Sequence, residues 1–341
     1  MKIRPILALT MGDPCGVGAE IAVKALANRE FYEHAQPFII GDLSRIEYCL
    51  KFVSAPLQLN QIKSPDQGKY EFGTIDVLHL EIEGVQGLGY GKVEAVAGEA
   101  AVAYVLKAIE LAKARDVDAV VTGPLNKEAI HLAGHHFPGH TEIFAQMTDT
   151  EDYAMMLFAD GFHTIHVSTH CSLRQACDRA TKDRVGTVIK LAREVIALSG
   201  LNNRKIAVAG LNPHSGENGA FGSEEITDII PAIEEAKTKY SDVTIVGPVP
   251  PDSLFIRAKA GEYQVMVVMY HDQGHIPMKI VNFDEGVNVT LGLPIIRTSV
   301  DHGTAFGRAG QGRASANSME AAMRLAITMA KNRFYSSGGD Q

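Results

Sequence analysis

The chain has 341 residues, enough for two domains of ordinary size with a cleft between them. Hydrophobic residues make up 46% and charged residues 21%, which excludes a disordered or fibrous chain. A formal charge of −8 with scattered Lys and Arg excludes a field that would gather nucleic acid or an anionic membrane, so an anionic ligand must be held by a few placed cations.

The N-terminus, Met1-Lys2-Ile3-Arg4, is basic, but the apolar run after it breaks at Pro5 and ends at Gly12-Asp13-Pro14. That run is too short for a signal peptide or a membrane span. Short apolar runs predict strands at Ile6–Met11, Pro37–Ile40, Asp118–Thr122, Tyr153–Phe158, Thr164–Ser168, Lys205–Leu211, Val243–Val246 and Gln264–Tyr270. Helical periods run over Ala95–Ala114, Arg184–Leu198 and Glu224–Lys239, the first with Val96, Ala100, Ala103, Leu106, Ile109 and Leu111 along one stripe. Strands alternating with helices predict an α/β fold with mainly parallel sheets flanked by helices. Only Ser336–Gln341 reads as a frayed tail. Cys15, Cys49, Cys171 and Cys177 contain one C-x5-C pair, neither a zinc ribbon nor a redox C-x-x-C, and the expectation is a reducing cytoplasm. Met155, Met156, Met266, Met269 and Met278 read as core fillers.

Several strands end in Gly, Pro, His or Asp: Thr122-Gly123-Pro124, Ser168-Thr169-His170, Leu211-Asn212-Pro213-His214 and Tyr270-His271-Asp272. Ligands in open α/β sheets sit beyond the carboxyl ends of strands, so these junctions are candidates to line one site. His170, His214 and His271 suit a divalent ion such as Zn²⁺ or Co²⁺ with one position open for substrate. Spacing alone would not single out these three among 13 histidines; the polar, glycine-rich runs Asn212–Gly219 and Tyr270–His275 around them do.

Those two runs, with Pro138-Gly139-His140-Thr141-Glu142 and Gly292–Ala305, resemble the 4-hydroxythreonine-4-phosphate dehydrogenase family over nearly the whole chain. The resemblance implies one divalent metal (Zn, Co, Mg or Mn) on His170, His214 and His271, shared across a homodimer interface. It further implies a phosphorylated substrate held by His140, Thr141, Lys279, Asn288 and Arg297. Lys279 and Arg297 supply cations suited to a phosphate or carboxylate, Arg297 in a bidentate way. No Rossmann fingerprint supports NAD binding: Gly87-Leu88-Gly89-Tyr90-Gly91-Lys92 lacks the last glycine of G-x-G-x-x-G and follows no clear strand. Instead, Gly12-Asp13-Pro14-Cys15-Gly16-Val17-Gly18-Ala19-Glu20 resembles the first turn of isocitrate and isopropylmalate dehydrogenases. Asp301-His302-Gly303-Thr304-Ala305, then Gly310–Ala314 and Asn317, are similar to their adenosine-binding loop.

The resemblance thus implies a two-domain fold of that kind with a cleft between the domains. Residues 1–125 plus 285–341 would bind NAD, and residues 126–284 would carry the metal ligands and dimer contacts. The expected reaction is oxidation of a C3 hydroxyl by NAD or NADP, then loss of CO2 from the 3-keto acid. Asp252, Asp272 and Lys279 are candidate proton acceptors, Lys279 reading more as a phosphate contact. Cys15 and Cys171 lack the base-plus-orienter setting of a nucleophile. The wording His166–His170, Glu217-Asn218-Gly219 and Gly274-His275-Ile276-Pro277 is closer to the branch acting on 4-phospho-D-threonate or D-erythronate than to the vitamin B6 enzyme. An aromatic dihydrodiol carboxylate dehydrogenase and a non-catalytic phosphometabolite binder are the further alternatives.

Overall fold

A computed structural model describes residues 4–159, 161–281 and 284–335, and the expected tail at 336–341 lies outside them. The chain divides into two compact units, residues 1–150 with 293–341 and residues 151–292.

The first unit opens with β1 (Ile6–Thr10), β2 (Gln36–Gly41), β3 (Gln58–Ile62), β4 (Thr74–His79) and β5 (Ala119–Thr122). The middle unit then contributes β6 (Ala154–Ala159), β7 (Phe162–His166), β8 (Lys205–Ala209), β9 (Thr244–Val249), β10 (Val265–Val268) and β11 (Val287–Leu291). The chain returns to the first unit with β12 (Arg297–Val300). In the first unit the strand order is β3-β4-β2-β1-β5-β12 and every pairing is parallel. Such a sheet is covered on both faces, which accounts for the near-continuous burial of Ile-Leu-Ala-Leu-Thr and Ala-Val-Val-Thr in β1 and β5. The middle unit orders β11-β6-β7-β10-β8-β9, antiparallel across β11-β6-β7 and parallel from β7 to β9.

All eight expected strands form, and four more appear. The strand β3, Gln-Leu-Asn-Gln-Ile, is polar and half-exposed and carries no apolar run to find. The strand β12 is written as Arg-Thr-Ser-Val, residues more easily read as a binding motif. The helix Ala95–Ala114 has the expected bounds but a different buried face. Leu106 is 37% exposed, whereas Ala97, Gly98, Ala101, Tyr104, Val105 and Ala108 face the core. The stripe placed on Val96, Ala103 and Leu106 is therefore corrected by about one residue position: Tyr104 and Val105 fill the core, and a glycine stands at the point of closest approach. The five methionines are buried.

Gly98 shows how close that contact is. A Cβ there would lie 2.1 Å from the Ala129 carbonyl oxygen, on the helix Lys127–Leu132 that Asn126 caps. Alanine gains about 1 kcal/mol of helix propensity over glycine, but overpacking against backbone costs about 1–3 kcal/mol or more. Gly98→Ala is therefore expected to lower the thermal midpoint by several degrees, and a variant as stable as the parent by circular-dichroism melting would refute the contact. Among the described residues no helix is long and apolar enough to cross a membrane.

Candidate active site

In the first unit the candidate residues gather on two turns. Thr10 and Thr122 lie level in the β1–β5 register, so the segments leaving both strands meet: Asp13 donates its amide to the Pro124 carbonyl at 2.9 Å, and Gly123 donates to Thr10 at 2.9 Å. Gly12 has φ +74°, and a Cβ there would sit 2.3 Å from the Pro124 oxygen, so only glycine fits. Asp13 is buried. One carboxyl oxygen accepts the Cys15 amide at 2.8 Å, and the other is buried with no partner among the described residues. Burial raises its pKa to about 6.

The loop Asp301–Ala305 packs on the same turn. Thr304 accepts the Val17 amide at 3.1 Å, and a Cβ at Gly16 would lie 3.0 Å from Thr304, a tight contact. Asp301 donates its amide to the Ser318 hydroxyl oxygen at 3.1 Å, and His302 pairs with the Gly303 carbonyl at 2.9 Å. Gly303 and Asn317 are exposed, with Asn317 opening the helix Asn317–Phe334. Glu20 and Lys24, a 2.8 Å ion pair, clamp the following segment: Glu20 accepts the Gly312 and Ala314 amides, while Lys24 donates to both carbonyls. The clamp was not singled out from sequence, although its i,i+4 acid–base spacing was legible. The accessible glycine-lined loop and the unpartnered acceptor of Asp13 are compatible with a dinucleotide.

On the other side of Gly123, half-buried His140 begins the helix His140–Met147 with Thr141 beside it. His140 is hydrogen-bonded to the Gly123 backbone, and its Nε2 is buried without a partner among the described residues. Burial, then the charge of Arg297, pushes this imidazole well below its ordinary value, so it is neutral. Arg297 is itself buried. Its Nε and Nη2 donate to the Thr122 hydroxyl at 3.2 and 2.9 Å, and the guanidinium lies 5.7 Å from the centroid of the Phe144 ring. Burial pulls its pKa down to about 9, against an opposing pull from Glu142. A desolvated guanidinium of this kind gains strongly from an arriving anion. Thr122 and Glu142 stood in motifs quoted from the sequence, but their tie to Arg297 was missed because nothing in local sequence connects positions so far apart.

In the middle unit the parallel strands β7, β10 and β8 lie side by side in that order. Their carboxyl ends lead to His170, His271 and His214. Gln273 knits two of these ends, accepting the Met269 amide at 2.7 Å and donating to the Gly210 carbonyl at 2.9 Å. The rings of His170 and His271 come within 6.1 Å of each other. His271 Nδ1 pairs with the Asp272 carboxylate at 2.6 Å, which puts its proton on Nδ1 and leaves the Nε2 lone pair to a ligand. Within one chain, the described residues contain no group of three His, Cys, Asp or Glu side chains gathered to hold a metal.

His214 sits on an exposed turn in which five consecutive residues, His214 to Asn218, have φ between +43° and +80°. Four of them are not glycine, and left-handed backbone costs such residues roughly 1–2 kcal/mol each. Buried Glu225 holds the segment, accepting the Leu211 and Asn212 amides at 2.8 and 2.7 Å and the Asn212 side chain at 2.9 Å. Lys279 stands two turns after His271 on the helix His271–Val281, Asn288 lies in β11 opposite Leu157, and exposed Asp252 opens the helix Pro251–Lys259. Cys15, with its pKa raised to about 11 by burial, is held as an unreactive thiol.

The donor set fits a divalent ion. An ion about 2 Å from each ring nitrogen can be shared by two imidazoles spaced as His170 and His271 are, and the Asp272 contact is the usual orienting partner of a metal-bound histidine.

Residues 33–326 match the family described as pyridoxal phosphate biosynthetic protein PdxA. The D-threonate 4-phosphate dehydrogenase of Pectobacterium atrosepticum is 46% identical over 326 residues, covering 95% of this chain and 99% of that protein. The enzyme of the same name from Cupriavidus necator is 44% identical over 330 residues, covering 96% and 98%. The crystal structure of 4-hydroxythreonine-4-phosphate dehydrogenase from Klebsiella pneumoniae superposes with a TM-score of 0.86 at 43% identity, covering 96% of this chain and 98% of that one. With most of its length matched by the family profile and by these relatives, this chain belongs to the PdxA family.

Proposed function

We propose that the protein is an NAD-dependent, divalent-metal-dependent dehydrogenase that oxidises the C3 hydroxyl of 4-phospho-D-threonate. The 3-keto acid then loses CO2 to give dihydroxyacetone phosphate. The observation that carries this reading is the side-by-side exit of His170, His271 and His214 from three neighbouring parallel strands, two of the rings 6.1 Å apart. Relatives named for D-threonate 4-phosphate favour the threonate substrate.

In this reading His170, His214 and His271 hold the metal, and an ion there would polarise the C3 oxygen and stabilise the negative charge left as CO2 departs. Arg297 and Lys279 bind the anionic groups, and Asn288 and Thr141 donate or accept around the hydroxyls. Neutral His140 offers Nε2 to a substrate hydroxyl. Asp272 orients His271, which leaves Asp252 and Lys279 as the candidates to accept the C3 proton. The turn at Gly12-Asp13 and the loop Asp301–Thr304, with Asn317, receive NAD. The hydride leaves C3 for the nicotinamide, and the two electrons of the broken C–CO2 bond remain on the carbon skeleton until a proton is taken up there.

A homodimer sharing the metal site is part of the proposal. Support comes from the exposed apolar side chains Ile276 and Ile280, one turn apart on the helix that begins with His271 and 57% and 80% exposed. Ile256 is 72% exposed on the helix Pro251–Lys259. Exposed aliphatic stripes of this kind mark contact surfaces.

The test is NADH formation from 4-phospho-D-threonate with CO2 release. Activity is expected to vanish in EDTA and return with Zn²⁺, Co²⁺, Mn²⁺ or Mg²⁺. Turnover of 4-hydroxy-L-threonine 4-phosphate alone would move the protein to the vitamin B6 branch. No turnover of either compound with any of these metals would sink the reading.

A further inference from the structure

Two histidines unused by the proposed reaction lie in series behind His271, the nearer stacked on its ring. His275, one turn further along the helix His271–Val281, lies flat against it, ring centroids 3.6 Å apart and planes 11° from parallel. The Nδ1 of His275 is 3.2 Å from the His271 carbonyl oxygen and 3.2 Å from Nε2 of His166. The carbonyl can only accept, so His275 carries its proton on Nδ1 and shares it with the His166 lone pair. His166, in β7, is fully buried, and its Nδ1 is 3.2 Å from the Met155 carbonyl oxygen. By the same logic its proton is on Nδ1 and Nε2 is the acceptor. Gly274 makes room for the arrangement: a Cβ there would lie 2.5 Å from His166 Nε2.

We infer that His166 and His275 are positioning residues for His271: the buried His166 fixes the plane of His275, and His275 fixes the plane of His271. His271 is then held at its edge by Asp272 and on its face by His275, with its Nε2 pre-aimed. A ligand ring locked in this way loses less rotational freedom on binding an ion, and removal of such outer contacts typically costs 10–100-fold in metal affinity. The inference rests on the reading of His271 as a metal ligand.

The test uses the full-length protein loaded with Co²⁺, which reports coordination geometry through its visible absorption, and measures affinity by chelator competition. His275→Leu is expected to weaken Co²⁺ binding by about 10–100-fold and to change the spectrum. His275→Phe, which keeps a flat face against His271, recovers most of the affinity, and the metal-free thermal midpoints stay within a few degrees of the parent. His166→Leu, an apolar replacement at a buried position, gives the same direction of change should His275→Leu fold poorly. Parental affinity and spectrum in both leucine variants, while His170→Ala loses the ion, would overturn the inference. Parental Co²⁺ binding by His170→Ala would overturn the metal reading and the inference with it.

Discussion

Arg297→Met is expected to lower kcat/KM for the phosphorylated substrate by two to three orders of magnitude while leaving the protein folded. The guanidinium is buried, is tied to Thr122 at 2.9 and 3.2 Å and has Phe144 beside it. Removing one partner of a buried charge pair costs about 3–5 kcal/mol, and each 1.4 kcal/mol is a factor of about ten. Methionine keeps apolar volume beside Phe144, so the loss reads as missing charge rather than a cavity. Arg297→Lys should recover only part of the activity, because an ammonium cannot reproduce a two-pronged contact. A folded Arg297→Met enzyme with kcat/KM within threefold of the parent would remove Arg297 from the substrate site.

The second large effect is a loss of stability in mild acid. His163 is fully buried in β7, both ring nitrogens lack partners among the described residues, and its ring stacks on Phe158 at 4.0 Å. Burial lowers its pKa to about 3, and burial with the neighbouring His275 does the same for His166. Both folded values lie below the unfolded 6.5, so the unfolded chain takes up these protons first and folding weakens as pH falls below about 6.5. At about 1.4 kcal/mol per unit and group, acidification to about pH 4.5 costs roughly 5 kcal/mol through these two. Asp13 opposes them. Its folded pKa of about 6 exceeds the unfolded 3.8, so its contribution is present below 3.8, is lost as pH rises through 6, and returns on acidification. That offsets roughly 2 kcal/mol over the same range. His163→Phe keeps the stack, removes two unsatisfied nitrogens and should cut the net acid loss from these groups from roughly 3 to under about 1 kcal/mol, raising neutral stability by about 1–3 kcal/mol. Denaturant titrations from pH 7 to 4.5 check this, and parallel slopes for parent and variant would refute it.

The sequence displayed its buried parallel strands because their apolar runs are continuous, and it displayed the strand-end histidines because polar residues interrupt those runs abruptly. It hid β3, whose Gln and Asn side chains carry no apolar run, and β12, whose Arg297 and Ser299 are buried by partners far along the chain, as Thr122 shows. The candidate site was legible as a set of motifs but not as a set of contacts. The pairing of His166 with His275 spans 109 residues, and the hold of Glu225 on Leu211 and Asn212 depends on how the chain turns back after β8. Local patterning reports propensity and amphipathicity, whereas these contacts follow from strand order.

The backward-wound segment at His214 has a bearing on how that imidazole arrives at its post. Four reversed residues disfavour the loop by about 4–8 kcal/mol, and the four bonds to the Glu224 and Glu225 carboxylates return about 1.5–3 kcal/mol each. Together these bonds cover the cost, and the principal hold is a carboxylate ten residues beyond Ser215. His214 is thus presented by a turn whose shape depends on carboxylates that lie after it in the chain.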